Sequence, residues 1–284
     1  MASPRARPRC RAARPPQLRP AGTLSRFTYT LDRAGNRTKL TTTRETHLYS
    51  YDALDRITKV CYGSCPTSGG GGGGVGTSSI IIDRPPVTSP PPAPGDTFTA
   101  WTYDPAGNRL TETNYLGTTT YAYDAADRLV SMTAPGGAVT AYGYDNNGNQ
   151  LSAGSNTFAY DLADRLVGAS VGGTTETYTW SGDGVRLSAA IGPQATKTTR
   201  FLWDRGFALP ELVIERDGNG KLVRRYTYGL DLLSQATPNK SPYWSHHDGL
   251  GSVTDITSTA GSSLWWAEYT PFRTPRASAS DSTS

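Results

Sequence analysis

The sequence predicts an all-β fold in which tandem β-hairpins join into one continuous sheet, and three observations carry that prediction. The first is an internal repeat that approximates aromatic, any residue, aromatic, Asp, two residues, Gly or Asp, then Asn-Arg or Arg-Leu. Its seven copies read FTYTLDRAGNR (27–37), LYSYDALDRI (48–57), WTYDPAGNRL (101–110), YAYDAADRLV (121–130), YGYDNNGNQL (142–151), FAYDLADRLV (158–167) and YTWSGDGVRL (178–187). The second is the period-two placement of aromatics within a copy, as in Tyr121-Ala122-Tyr123, which puts both rings on one face of a strand. The third is composition: 31 Gly, 20 Pro and 16 Tyr among 284 residues, with 18% charged, leave little material for long surface helices.

Taken in chain order, residues 1–24 are built from Arg, Pro and Ala, and such a stretch is expected to be a disordered leader. It carries no apolar run of the ~7–15 residues that a secretory signal requires, so no signal peptide is recognisable. Arg5, Arg7, Arg9, Arg11, Arg14, Arg19 and Arg26 account for the basic balance; without those seven, the formal +4 becomes −3 for the rest of the chain. Nucleic acid is therefore not an expected partner of the body. The longest aliphatic run, Ile80-Ile81-Ile82, is far below the ~20 residues of a transmembrane helix.

Residues 25–61 and 98–190 are expected to hold the repeats, separated by a Gly/Pro-rich, low-complexity insert at 62–97 that reads as a surface loop or linker. The register residues Asp32, Asp52, Asp104, Asp124, Asp145, Asp161 and Ser181 recur at about 20-residue intervals, except from Asp52 to Asp104, where one repeat plus the insert fits. Cys61 and Cys65 flank Tyr-Gly-Ser beside the insert, and Cys10 is the third cysteine. With no further ligands nearby they do not define a metal site, and a local disulfide or two free thiols both remain open.

Within a copy, the Asp can accept hydrogen bonds from the backbone two residues on and start a turn. Gly107 and Gly148, each followed by Asn, sit where a hairpin turn needs positive φ. Asp52/Arg56, Asp124/Arg128 and Asp161/Arg165 share a four-residue spacing. Repetition at every turn makes these structural caps and ion pairs rather than catalytic or calcium-binding groups, since a catalytic site converges once. A hairpin cannot bury its aromatic face alone, so stacked copies must share one sheet.

His246, His247, Asp248 and Ser252 bring the residue types of a hydrolase together, but along one strand and turn rather than from converging elements. Gly249-Leu250-Gly251-Ser252 is not a nucleophile elbow, and Gly69–Gly74 lacks the Gly-Lys-Ser/Thr ending of a phosphate loop. No enzyme activity, cofactor, or catalytic or metal-ligating residue is expected.

The repeats resemble the YD repeats of the Rhs and teneurin-like family. The segment YWSHHDGLGSVTDITSTAGSSLWWAEYTPF (243–272) is similar to the Rhs repeat-associated core, through His247, Asp248, Leu250, Gly251, Ser252, Glu268, Tyr269, Pro271 and Phe272. Residues 191–272 are read as that core and 273–284 as a disordered tail. The resemblance assigns structural motif roles to Tyr51, Asp52, Arg56, Tyr103, Asp104, Gly107, Arg109, Tyr123, Asp124, Arg128, Tyr144, Asp145, Gly148, Tyr160, Asp161 and Arg165, and in the core to Asp248, Gly251, Ser252, Tyr269, Pro271 and Phe272. It implies a curved sheet forming part of a hollow shell or barrel, secreted or at the cell surface of a bacterium.

In bacterial members of the family the shell encloses a polymorphic toxin domain. The implied partners are further YD-repeat shell segments or an enclosed toxin domain. Arg273 stands where the family has Gly, and the self-cleavage motif and toxin domain lie downstream in the family. The expectation is a C-terminal fragment or short relative lacking both. A second reading is a carbohydrate- or cell-surface-binding module that uses rows of aromatics on the sheet.

Overall fold

A computed structural model describes residues 25–63, 77–82, 97–192, 197–206, 208–272 and 275–280. Among them the first strands are β1 (Ser25–Leu31), β2 (Arg37–Thr41), β3 (Thr46–Tyr51), β4 (Ile57–Tyr62), β5 (Thr77–Ile82) and β6 (Phe98–Tyr103). Next come β7 (Arg109–Asn114), β8 (Gly117–Tyr123), β9 (Leu129–Thr133), β10 (Val139–Tyr144), β11 (Gln150–Ala153), β12 (Asn156–Tyr160), β13 (Leu166–Val171), β14 (Thr174–Trp180) and β15 (Arg186–Ile191). The C-terminal part adds β16 (Lys197–Asp204), β17 (Glu211–Asp217), β18 (Leu222–Tyr228), β19 (Leu232–Ala236), β20 (Tyr243–His247), β21 (Val253–Thr257), β22 (Ser263–Tyr269) and β23 (Pro275–Ser280). All 23 join one sheet, and the described residues contain no helix.

The sheet is a meander: each strand pairs antiparallel with its chain neighbour, except around β5. That strand crosses back to pair with β1, matching Ser25 to Ile82 and Thr30 to Thr77. Its departure leaves β4 to pair directly with β6, Lys59 opposite Ala100 and Cys61 opposite Phe98. The repeat therefore runs in step across residues 62–97, as an insertion requires. Two segments read as irregular from the sequence are corrected in part. Thr77–Ile82 of the insert is a strand, because β-branched Ile80, Ile81 and Ile82 suit the ladder of an otherwise open edge. Pro275–Ser280 of the expected tail is a strand on the other edge, paired with β22. Residues 1–24 lie outside the described residues. Cys61 is disulfide-bonded, while Cys10 and Cys65 lie outside the described residues.

Burial divides the sheet. Phe27, Tyr29, Leu40, Tyr49, Val60, Tyr62 and Trp101 form one buried cluster on β1–β4 and β6. On β21 and β22, Thr254, Asp255, Thr257, Trp266 and Ala267 are buried too. The two groups face each other: Arg44 lies 3.2 Å from Asp255, and the Phe272 ring meets Trp101 edge-on at 5.1 Å. The open, curved sheet thus brings its C-terminal strands back over its first ones. From β7 to β18 the described buried hydrophobics are only Ala169 and Ala190.

Candidate functional site

The recurring polar element of this fold is the repeated turn. In five copies the Asp accepts on Oδ1 the backbone N–H groups two and four residues on: Ala34 and Asn36 at Asp32, Leu54 and Arg56 at Asp52, Ala126 and Arg128 at Asp124, Asn147 and Asn149 at Asp145, Ala163 and Arg165 at Asp161. Its Oδ2 then takes the side chain four residues on, from Arg56 Nε at 2.7 Å, Arg128 Nε at 2.8 Å, Arg165 Nε at 2.8 Å, or Asn108 Nδ2 at 3.0 Å. These bonds stabilise the ionised form. The backbone N–H of Arg56 leads in holding Asp52 below the usual carboxylate range, that of Arg128 leads for Asp124, and the Arg165 side chain leads for Asp161.

Two turn chemistries alternate, a feature missed from the sequence although the alternation of Gly-Asn with Asp-Arg was there to read. The residue three after the Asp adopts positive φ in every copy, as Gly35, Gly107, Gly148 and Gly184 in one type and Asp55, Asp127 and Asp164 in the other. Where Asn follows the glycine, it reaches the left-handed Asp of the next turn: Asn36 Nδ2 to Asp55 at 2.6 Å, Asn108 to Asp127 at 2.7 Å, Asn149 to Asp164 at 2.7 Å. Where Arg follows the Asp, its Nη1 reaches the carbonyl that opens the next turn, Arg56 to Asp104 at 2.8 Å and Arg165 to Ser181 at 2.8 Å. Arg128 to Asp145 repeats this at 3.4 Å. Each turn is thereby tied to the one after it.

In five of the seven copies the aromatic before the Asp, or before Ser181 in the last, makes a second tie. Tyr51 OH donates to Arg37 O, Tyr103 to Ile57 O, Tyr123 to Arg109 O and Tyr144 to Leu129 O; Trp180 Nε1 does the same with Leu166 O. In each case the acceptor is the residue five after the preceding Asp or its equivalent. Guanidinium groups cover the rings, Arg37 on Tyr49 at 4.4 Å, Arg56 on Tyr103 at 4.9 Å, Arg109 on Tyr121 at 4.5 Å and Arg128 on Tyr144 at 5.2 Å. Tyr160 ends β12 half-buried, opposite Leu166.

The C-terminal motif residues sit where the sheet meets its own beginning. Asp248 Oδ1 accepts the N–H of Leu250 and Ser252, and Gly251 takes positive φ, so this is one more copy of the turn. Its Gly249 N–H donates to Tyr29 OH, and a Cβ there would lie 3.0 Å from the Tyr29 ring, so any larger residue would have to push the ring aside by a few tenths of an ångström. Tyr269 OH donates to Val253 O, Pro271 lines the cavity between the two layers, and Phe272 packs between Trp101 and Arg109. Two of the four hydrolase-type residues have other commitments: Asp248 holds its turn by accepting the backbone N–H of Ser252, and His246 Nε2 is 2.9 Å from Thr257 Oγ1. Burial lowers the His246 pKa, and burial raises that of Glu268 in the cavity wall against the pull of Arg44.

The arrangement defines a tandem β-hairpin repeat protein whose turns are stitched edge to edge. The RHS Repeat family model matches residues 103–139 and 123–156, so this stretch of the chain is similar to RHS repeats. No curated protein sequence matches it. Among solved structures it is similar to the Photorhabdus luminescens Tc holotoxin pore carrying the TccC3-D651A mutation, at 15% identity and a TM-score of 0.53. That match covers 90% of this chain and 15% of that one, so this chain spans a small part of its neighbour's length. A TcdB2-TccC3-TEV structure also matches, at 15% identity over 89% of this chain and 16% of that one, with a TM-score of 0.37 too low to carry an argument.

Proposed function

We propose that the chain is a non-catalytic stretch of wall in a YD-repeat shell of the kind found in bacterial Rhs-type toxins or cell-surface proteins. The observation that carries this reading is the continuous stitching of turn to turn, which uses the repeated Asp, Asn and Arg groups of the copies for structure. Tyr51, Tyr103, Tyr123 and Tyr144 with Asp52, Asp104, Asp124, Asp145 and Asp161 act as ties within the wall, and Asp248, Gly251, Ser252, Tyr269, Pro271 and Phe272 seat its C-terminal turn. Further YD-repeat segments would extend the sheet at its edges, and an enclosed toxin domain is the expected cargo. An extracellular or cell-surface location follows from the family; no helix among the described residues is long and apolar enough to cross a membrane.

The glycan-binding reading has weaker support. Its aromatic rows are half-buried, their hydroxyls donate to backbone carbonyls, and arginines already cover several ring faces. Limited proteolysis of the full chain, read by mass spectrometry and paired with a glycan array, tests the proposal. Residues 100–272 surviving as one resistant unit with no glycan bound is the expected result. Early cleavage within the repeat turns, or glycan binding lost on Tyr121→Ala, would overturn it.

A further inference from the structure

The turn before β3 and the strand β22 bring three metal-type ligands together in the interior. His47 is 3% exposed, and its Nε2 lies 2.7 Å from Glu45 Oε1. Glu268 arrives from β22 in the opposing layer, and one ligand atom from each of Glu45, His47 and Glu268 lies within 4.8 Å of the other two. The other ring nitrogen, Nδ1, is 3.3 Å from Tyr49 OH, a second contact that orients the ring with Nε2 toward the carboxylates. A cavity of about 60 Å³ is bounded by His47, Glu268 and Arg44, several times the roughly 10–15 Å³ that one water needs by the same kind of measure.

Charge favours a cation at this place. Among the described residues, the carboxylates of Asp255 and Glu268 share the Arg44 guanidinium, while that of Glu45 lies against His47. That guanidinium is drawn away from the cluster: it lies 3.2 Å from Asp255 and stacks on Trp266 at 4.3 Å, against 4.0 Å to Glu268. One imidazole with two carboxylates is a borderline nitrogen and oxygen set, suited to Zn²⁺ and its first-row neighbours and poorly suited to calcium or magnesium, which take oxygen. Metal–ligand bonds of about 2.0–2.2 Å put neighbouring donors about 3.3 Å apart in a tetrahedral shell, so the present spacings need only small side-chain adjustments.

We propose that Glu45, His47 and Glu268 form a binding site for a first-row divalent cation of the Zn²⁺ type, with water from the cavity completing its shell. The ion joins the first hairpins to β22 and so fastens the two layers. Its site differs from the Cys61 region, and it stands whether or not the chain is part of a toxin shell.

The test uses the untagged full chain, stripped with EDTA, then titrated with Zn²⁺ by calorimetry and with Co²⁺ by absorption. One equivalent should bind and raise the melting temperature. Tyr49→Phe should weaken binding by roughly the 10–100-fold typical of an outer contact, and His47→Gln and Glu268→Gln by more. Circular dichroism checks that each variant folds. If one does not, wild-type Co²⁺ protein decides, through a paramagnetically shifted imidazole ring proton and a spectrum without thiolate charge transfer. No binding, binding untouched by both Gln variants, or a thiolate spectrum overturns the site and leaves a proton shared by His47 and Glu45 as the role of that pair.

Discussion

In the hairpin of β1 and β2, Tyr29 stands opposite Leu40 and both are buried; in the hairpin of β8 and β9, Tyr121 occupies the equivalent place opposite Met132 and both stay half-exposed. The two hairpins share one motif and differ in turn type, Gly35-Asn36 against Asp127-Arg128, but these turns lie at the hairpin ends, so the difference in burial along the strands comes from what covers them. The first lies beneath β20–β22, with Gly249 seated on Tyr29, while the second belongs to a single layer. The ends of the sheet hold together by apolar burial. The middle holds by many local ties, each worth on the order of 1 kcal/mol or less. A repeat can thus keep its geometry with almost no core, provided each turn is bonded to the next.

Substitutions should separate the two regimes. The largest effect is expected at the ends: Trp101→Ala removes a ring that is 3% exposed and should cost about 3–5 kcal/mol in urea unfolding. Gly249→Ala forces a methyl to 3.0 Å from the Tyr29 ring and should cost about 1–3 kcal/mol, with the first hairpins losing protection together with β20–β22. In the middle, Tyr123→Phe removes only the bond to Arg109 O and should cost about 0.5–1.5 kcal/mol. Combined with Tyr144→Phe, whose acceptor is Leu129 O, it should be close to additive, because no core links the two sites.

The smallest effect is a pH dependence. Asp52, Asp124 and Asp161 have pKa values lowered by the folded turn, so their contribution is complete above the unfolded value of about 3.9 and fades as pH falls through the folded one. Acid titration followed by NMR of the turn amides should show loosening in the middle only below about pH 4.

The hairpins were legible because their signals are local: Tyr-Ala-Tyr-Asp at 121–124 fixes a face, a turn start and a return strand within ten residues. Asp as turn acceptor and Gly107 and Gly148 at positive φ also follow from short-range chemistry. The pairing of β5 with β1 was not legible, because an isolated Ile-rich run names no partner. The meeting of Gly249 with Tyr29 and of Arg44 with Asp255 joins distant parts of the chain through curvature that no single copy encodes. Glu45, His47 and Glu268 escaped notice for the same reason: two are neighbours on one strand entry, and the third arrives only when the sheet returns on itself.

Hydrogen exchange across the whole chain, read by mass spectrometry, tests the central claim most directly. Amides of β1–β4, β6, β21 and β22 should be the most protected and should exchange as one cooperative unit, with those of β8–β18 exchanging earlier. Equal protection along the sheet, or a middle that outlasts the ends, would contradict the account.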